Sequence, residues 1–242
     1  MKKIILIFSL LLSFLDVKSQ NNIQKFKPVD FYEPDLSIKT QTEIKKLVEL
    51  LNNETPTLIE QKELDILVDK YGESVKSAWD VVGMECSWYC GGGNYKVRAS
   101  SELKSQNKNS YKAKSANDLS YETAWVEGKN DDGIGEFIEF LFENKSPRIT
   151  SIIISNGYVK TEKTWKNNNR VKSLKLYVNN KVYGILELTD SRADQIFKIG
   201  TFGHNKDGSE LILKFEVLEV YKGQKFNDTA ITEIYFDGID VH

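Results

Sequence analysis

Histidine and cysteine are nearly absent from this chain, with two of each in 242 residues. One histidine is the last residue, so a Ser-His-Asp or Cys-His mechanism would need His204, in the glycine-flanked segment FGHNKDG, as its base. A surface-loop histidine is the better reading. Cys86 and Cys90, in ECSWYCGGGN, have the spacing Cys-x-x-x-Cys rather than that of a thioredoxin-type pair, and a structural zinc site would need two further ligands that the histidines can hardly supply. Long apolar runs are also missing: no segment approaches the roughly 20 residues of a membrane-spanning helix. Neither charge sign prevails, with 33 Lys and Arg against 35 Asp and Glu. That balance leaves no electrostatic footprint for nucleic acid or an anionic membrane, and it leaves neutral ligands such as sugars unopposed. GIG at 133–135 lacks the further glycine and the lysine of a phosphate loop.

What is present begins with a secretory pattern. Lys2 and Lys3 precede the apolar run IILIFSLLLSFL, and Val17 and Ser19 are small enough for a signal peptidase. Residues 1–19 therefore read as a signal peptide, leaving an exported, soluble chain that starts at Gln20. No cysteine follows the apolar run, which argues against a lipid anchor. In an oxidising compartment Cys86 and Cys90 are expected to form a local disulfide, with the glycines after them allowing a sharp exit. So small a loop gains little entropic stabilisation, and the bridge would serve to shape the junction between helices and sheet.

Residues 20–85 read as a lead-in followed by a helical region. QNNIQKFKPVDFYEPDL has no periodicity and two of the four prolines, as expected of extended chain. Ile44, Leu47, Val48 and Leu51 then recur at helical spacing behind a Thr40/Glu43 capping-box pair. Thr57/Glu60 repeat that signal ahead of Leu64, Leu67, Val68 and Tyr71. Helices this short need their apolar stripes packed on each other or on the next domain. From residue 96 the pattern turns to short β-type runs separated by Gly, Asn and Asp, such as FIEFLF, ITSIIISNGY and LILKFEVLEVY, and NNK between LYV and VYG fits a tight hairpin. The chain from residue 96 onward is thus expected to form a mainly β sandwich or jelly roll behind a short α-helical N-terminal region.

The carboxylates Glu127 and Glu136, in WVEGKNDDGIGEF, are the pair that could serve a glycosidase as acid and base. The alternative is an Asp/Gly-rich turn with solvated charges. A second segment, SNGYVKTEKTWKNNNRVKSLKLYV (155–178), places Tyr158, Lys160, Trp165, Asn168 and Arg170 between two apolar runs. An exposed aromatic ring beside amide and guanidinium groups suits sugar recognition, the ring covering the C–H face while polar groups meet the hydroxyls. The competing reading packs Tyr158 and Trp165 onto the sandwich and pairs Arg170 with a carboxylate such as Glu127 or Glu136.

Taken in order, ASSEL (99–103), NDLSYETAWVEG (117–128), GIGE (133–136), NGYVK (156–160), NNRVKSLKLYVN (168–179), LTDSRADQIF (188–197) and EVYKGQKFNDTAITEIYF (219–236) resemble the discoidin-like domain that accompanies bacterial NAD glycohydrolases. The resemblance spans about residues 86–242. It implies a galactose-binding-type jelly roll acting as a glycan-binding and translocation module. With His242 six residues beyond the last motif, it implies binding without the glycohydrolase activity.

DLSYETAW is also similar to the D-G-D-x-x-T-x-W signature of discoidin-type carbohydrate-binding modules: Asp118, Thr123 and Trp125 match, while Leu119 and Ser120 depart from it. That similarity implies a structural calcium held by Asp118, Ser120, Thr123 and Glu233 with nearby carbonyls, and a core position for Trp125. The loss of the second aspartate removes a charged ligand. The alternative is a loop satisfied without metal, Asp118 capping a turn and Thr123 bonding the backbone. The expectation overall is an exported, non-catalytic module that binds a glycan or another cell-surface ligand, against a structural or protein-interaction domain and, third, a glycosidase.

Overall fold

A computed structural model describes residues 23–71, 88–91, 95–106 and 109–240. The expected signal peptide, Cys86 and with it the expected disulfide to Cys90 lie outside the described residues. The helical region forms as two helices, α1 (Ile38–Leu51) and α2 (Leu58–Tyr71). They pack on each other: Leu47, Leu50 and Leu67 are buried together, flanked by Ile44, Leu64, Val68 and Tyr71. The inward residue is Leu50, whereas Leu51 is exposed. Thr57 and Glu60 do form a capping box, Glu60 N–H donating to Thr57 Oγ1 at 3.3 Å and Thr57 N–H to Glu60 Oε2 at 2.8 Å. The Thr40/Glu43 pair does not, because α1 starts earlier. Ser37 caps it, its hydroxyl accepting from Thr40 N–H at 3.2 Å, and Glu43 is drawn instead to Lys70 and Tyr71 on α2.

The remainder is a jelly-roll β-sandwich with short helical insertions, α3 (Trp88–Gly91), a 3-10 turn (Ala113–Ala116) and α4 (Glu162–Asn167). Its strands are β3 (Tyr95–Ala99), β4 (Trp125–Val126), β5 (Phe137–Phe142), β6 (Ile149–Asn156), β7 (Asn169–Val178), β8 (Lys181–Glu187), β9 (Asp194–Phe202), β10 (Leu211–Tyr221) and β11 (Thr229–Gly238). One layer is β9-β6-β11 and the other β8-β7-β10-β5-β3. Among the described residues their strands pair with each other only where Thr229 and Ala230 run parallel to Asn169 and Arg170. Alternate residues of both layers fill one core, and Phe140 of β5 meets Phe236 of β11 edge-on with centroids 4.9 Å apart. The β7–β8 hairpin turns on Asn179 and Asn180, both at positive φ (49° and 63°), as a two-residue turn matched to strand twist requires. Trp125 is fully buried and donates its indole N–H to Ser101 O at 2.9 Å.

The lead-in departs from its aperiodic sequence. β1 (Lys25–Phe26) runs parallel to β8 and β2 (Asp30–Tyr32) antiparallel to β9, so one short segment covers an edge of each layer. Gly184 makes room for it: a Cβ there would stand 2.4 Å from the Phe26 ring, which stacks on Tyr183. The run IIIS in β6 is buried on both faces because Ile153 and Tyr235, on the outside of the β6/β11 pair, are covered by Tyr121 and Val159 with Leu36 and Trp165 against them.

Candidate functional site

The loop between β6 and β7 leaves the sheet through Gly157, whose φ is +84°. A Cβ at that position would approach Arg170 Cγ to 2.5 Å and Trp165 Cδ1 to 2.9 Å, so a side chain is excluded by both conformation and space. Beyond it lies α4, where a loop was expected. Thr161 caps this helix by exchanging hydrogen bonds with Thr164. Trp165 is half-buried and its indole N–H donates to Asn156 O at 2.9 Å. Arg170 lies under the ring at 4.9 Å.

The guanidinium of Arg170 is consumed within the protein. Its Nε and Nη2 donate to the two oxygens of Asp190, and Nη1 donates to Asn168 O and Lys222 O. The carboxylate it meets is therefore Asp190, not Glu127 or Glu136. Asn168 Nδ2 donates back to Thr164 O, and Tyr158 is buried with its hydroxyl donating to Glu122 O. Of the five residues read as sugar contacts, Tyr158, Asn168 and Arg170 brace the loop from within. Trp165 and Lys160 remain half-exposed at its surface. Sequence reasoning missed Asn169, fully buried at the start of β7, which bonds Asp132, Asn227 O and Gly223 N–H and so ties the β4–β5 and β10–β11 loops to β7.

Next to this braced loop runs a polar groove of about 390 Å3. Tyr221, opposite Arg170 in the β7–β10 register, and Thr189, adjacent to Asp190, form its near end. Lys172 and Glu219 line it as an ion pair. Ser173 also lines it, and its buried hydroxyl has no hydrogen-bond partner among the described residues.

The DLSYET loop builds a second locus. Thr123 Oγ1 contacts both carboxylate oxygens of Asp118, at 2.8 and 2.7 Å, and Ser120 N–H donates to Glu233 Oε1 at 2.9 Å. Glu233 is fully buried, and its Oε2 has no hydrogen-bond donor among the described residues. Burial, and then the neighbouring Asp118, push its carboxyl well above the usual range. Asp118 is raised too, by burial. Two carboxyls side by side, one with an orphaned oxygen, form a donor set that a hard cation would satisfy. No cluster of three His, Cys, Asp or Glu occurs among the described residues, so carbonyls would have to supply the remaining oxygens.

Asp194 lies close by. It is fully buried and takes three hydroxyl donors, Ser155, Tyr121 (2.6 Å) and Tyr235 (3.0 Å). Its own strand, ADQIF, gives no sign of this role, which depends on partners from three other segments.

Glu127 and Glu136 do structural work. Glu127 is fully buried, with Oε2 accepting from Lys129 N–H at 2.6 Å and Oε1 from Thr229 N–H at 3.2 Å, and burial pushes its carboxyl up to about 7. Glu136 accepts from the Ser100 and Ser101 hydroxyls. His204 is exposed in the turn after β9, at φ 51°. No helix among the described residues is long and apolar enough to cross a membrane.

Comparison with known proteins gives one family, described as the NAD glycohydrolase translocation F5/8 type C domain, matching residues 88–237. No curated protein matches the chain. Among solved structures, CpGH89CBM32-5 from Clostridium perfringens, in complex with GalNAc-β-1,3-galactose, is 18% identical with a TM-score of 0.42, over 62% of this chain and 99% of that one. The CBM32-1 and CBM32-2 domains of Clostridium perfringens ZmpB are 12% identical with a TM-score of 0.45, over 84% of this chain and 58% of theirs.

Proposed function

Because the chain belongs to the family of NAD glycohydrolase translocation F5/8 type C domains, we propose that it is an exported, non-catalytic glycan-binding module that acts at a cell surface. The observation that carries this reading is the groove beside the braced β6–β7 loop, lined by Ser173, whose hydroxyl has no partner among the described residues. The Ser173 hydroxyl is closed to water as it stands, so rotation of its side chain would present it to a ligand hydroxyl, which would then return the free energy that an unpartnered buried group costs. Loops already fixed by Arg170 and Asn169 lose little further entropy on binding. Trp165 and Lys160 supply an aromatic face and a cation at the adjoining surface.

Calcium is proposed as a structural cofactor, held by the carboxylates of Asp118 and Glu233 with oxygens from Ser120 and Thr123. When bound, the ion would neutralise two neighbouring carboxylates and fix the loop. The chain's own part is to position them: Thr123 holds Asp118, and the Ser120 N–H holds one oxygen of Glu233.

The test is equilibrium binding on a broad glycan array with wild type, Trp165→Ala and Ser173→Ala. Ser173→Ala removes a hydroxyl that no group among the described residues uses, so it should leave stability unchanged or slightly raised while weakening glycan binding. A second reading, a protein-docking domain, is favoured by the apolar Leu58, Ile59 and Ile66 exposed on α2. An array with no saturable glycan binding, together with loss of partner capture in Ile59→Lys/Ile66→Lys, would establish that reading instead.

A further inference from the structure

A cleft of about 670 Å3 lies between α1, α2 and the DLSYET loop, away from the groove beside Arg170. This volume is within the range of small-molecule sites. Two of its ring walls are fixed in place. Tyr71 donates its hydroxyl to Glu43, and Tyr121 donates to the buried Asp194. Rings tied by their hydroxyls offer flat apolar faces at little entropic cost.

The polar lining divides by side. On the helical side the carboxylates are spent: Asp35 accepts from Ser37 N–H and Thr40 Oγ1, and Glu43 accepts from Lys70 and Tyr71. Of the lysines there, Lys70 is spent on Glu43, but Lys39 and Lys45 are not. Lys45 has no ion-pair partner among the described residues, and Lys39 has only Glu43 at 3.9 Å. On the opposite side Glu122 lines the cleft with its carboxylate in no ion pair among the described residues, beside Ser120, whose hydroxyl accepts from Glu122 N–H and keeps its proton to donate. The cleft therefore sets ammonium groups on one wall against a carboxylate and a hydroxyl on the other, with aromatic faces between.

We infer that this cleft binds a carboxylate-bearing sugar, whose acid group meets Lys39 and Lys45 while its ring lies against Tyr71 and Tyr121 and its hydroxyl or amide donors meet Glu122. A neutral sugar leaves the ammonium groups without a counter-charge, and an aliphatic acid leaves the Glu122 wall unused. The inference rests on the glycan-binding reading for the class of ligand, but it assigns a different place and a different sugar.

The experiment is calorimetric titration of the full mature chain with N-acetylneuraminate, glucuronate, glucose 6-phosphate, galactose and N-acetylgalactosamine. It compares wild type, Lys39→Met/Lys45→Met, Ser173→Ala in the groove beside Arg170, and Lys62→Met, an exposed α2 substitution outside the cleft. Methionine keeps helix propensity close to that of lysine, so the double variant is expected to fold. Carboxylated sugars should bind the wild type and the Lys62 variant alike, and the double variant at least about tenfold more weakly. Their binding should also fall with added salt, as exposed ion pairs do. Absence of saturable binding by either carboxylated sugar, or equal binding to the double variant, overturns the inference. So does glucose 6-phosphate binding as tightly as glucuronate. If neutral sugars bind and lose affinity in Ser173→Ala while the carboxylated sugars do not bind at all, the inference fails and the glycan-binding reading stands. If no sugar binds, both fail.

Discussion

The guanidinium of Arg170 and the carboxylate of Asp190 meet in a two-pronged ion pair, Nε to Oδ1 at 3.0 Å and Nη2 to Oδ2 at 2.9 Å. Arg170 is almost wholly buried and Asp190 only partly, so the pair fastens the β8–β9 loop to the start of β7 from inside. Asp190→Ala should cost about 1–3 kcal/mol, less than a fully buried pair would because water reaches the aspartate. Arg170→Ala also removes two carbonyl bonds and the support under Trp165, and should cost about 3 kcal/mol or more. Urea unfolding of both variants checks the order. Equal costs would mean that the carbonyl bonds contribute nothing.

Trp165 and Trp125 should separate binding from folding, though less cleanly than an exposed loop ring would. Trp165 is half-buried, hydrogen-bonded to Asn156 O and packed beside Tyr121 and Val159, so Trp165→Ala should cost about 1–2 kcal/mol of stability. Trp125→Ala empties the core and should cost about 3–5 kcal/mol. Melting curves give the stabilities, and the glycan array shows whether the first substitution weakens binding beyond what partial unfolding explains.

Glu127 gives the fold a dependence on pH. Its folded-state carboxyl titrates near 7 against an ordinary value of 4.5, so between those limits the native chain holds a proton that the unfolded chain releases. The contribution is fully present below about pH 4.5 and is lost as the pH rises through 7, amounting to at most about 3 kcal/mol. Glu127→Gln cannot titrate, so its stability should fall less than that of the wild type between pH 5 and pH 8. Parallel pH profiles would show that the two backbone N–H bonds hold this carboxylate ionised throughout.

If Asp118 and Glu233 hold calcium, chelator should lower the melting temperature of the wild type, since a ligand selective for the folded state stabilises it by mass action. Glu233→Gln should melt at the same temperature with and without chelator. A wild-type melting curve indifferent to chelator, with no calcium by elemental analysis, would assign these residues to loop support alone.

Some of this protein could be read from neighbouring residues, because the physics involved acts over a few positions. Thr57 and Glu60 are three apart and meet within one helical turn. Asn179 and Asn180 tolerate positive φ, which settles a two-residue hairpin. The short β-runs alternate on a half-buried surface, and the signature DLSYETAW marked Trp125 for the core.

Other features depended on groups brought together by the sheet. Ser120 and Glu233 are 113 residues apart, and only the pairing of β11 with β6 and β4 delivers the glutamate to that loop. Arg170 had several acidic candidates along the chain, and strand register chose Asp190. The same holds for the lead-in, where KF and DFY carry no strand periodicity of their own. They become β1 and β2 because β8 and β9 present open edges whose N–H and C=O groups need partners. Trp165 looked exposed because its sequence neighbours are polar, but its burial is set by Arg170, Val159 and Tyr121, and side chains from distant segments leave no periodic trace in the sequence around it.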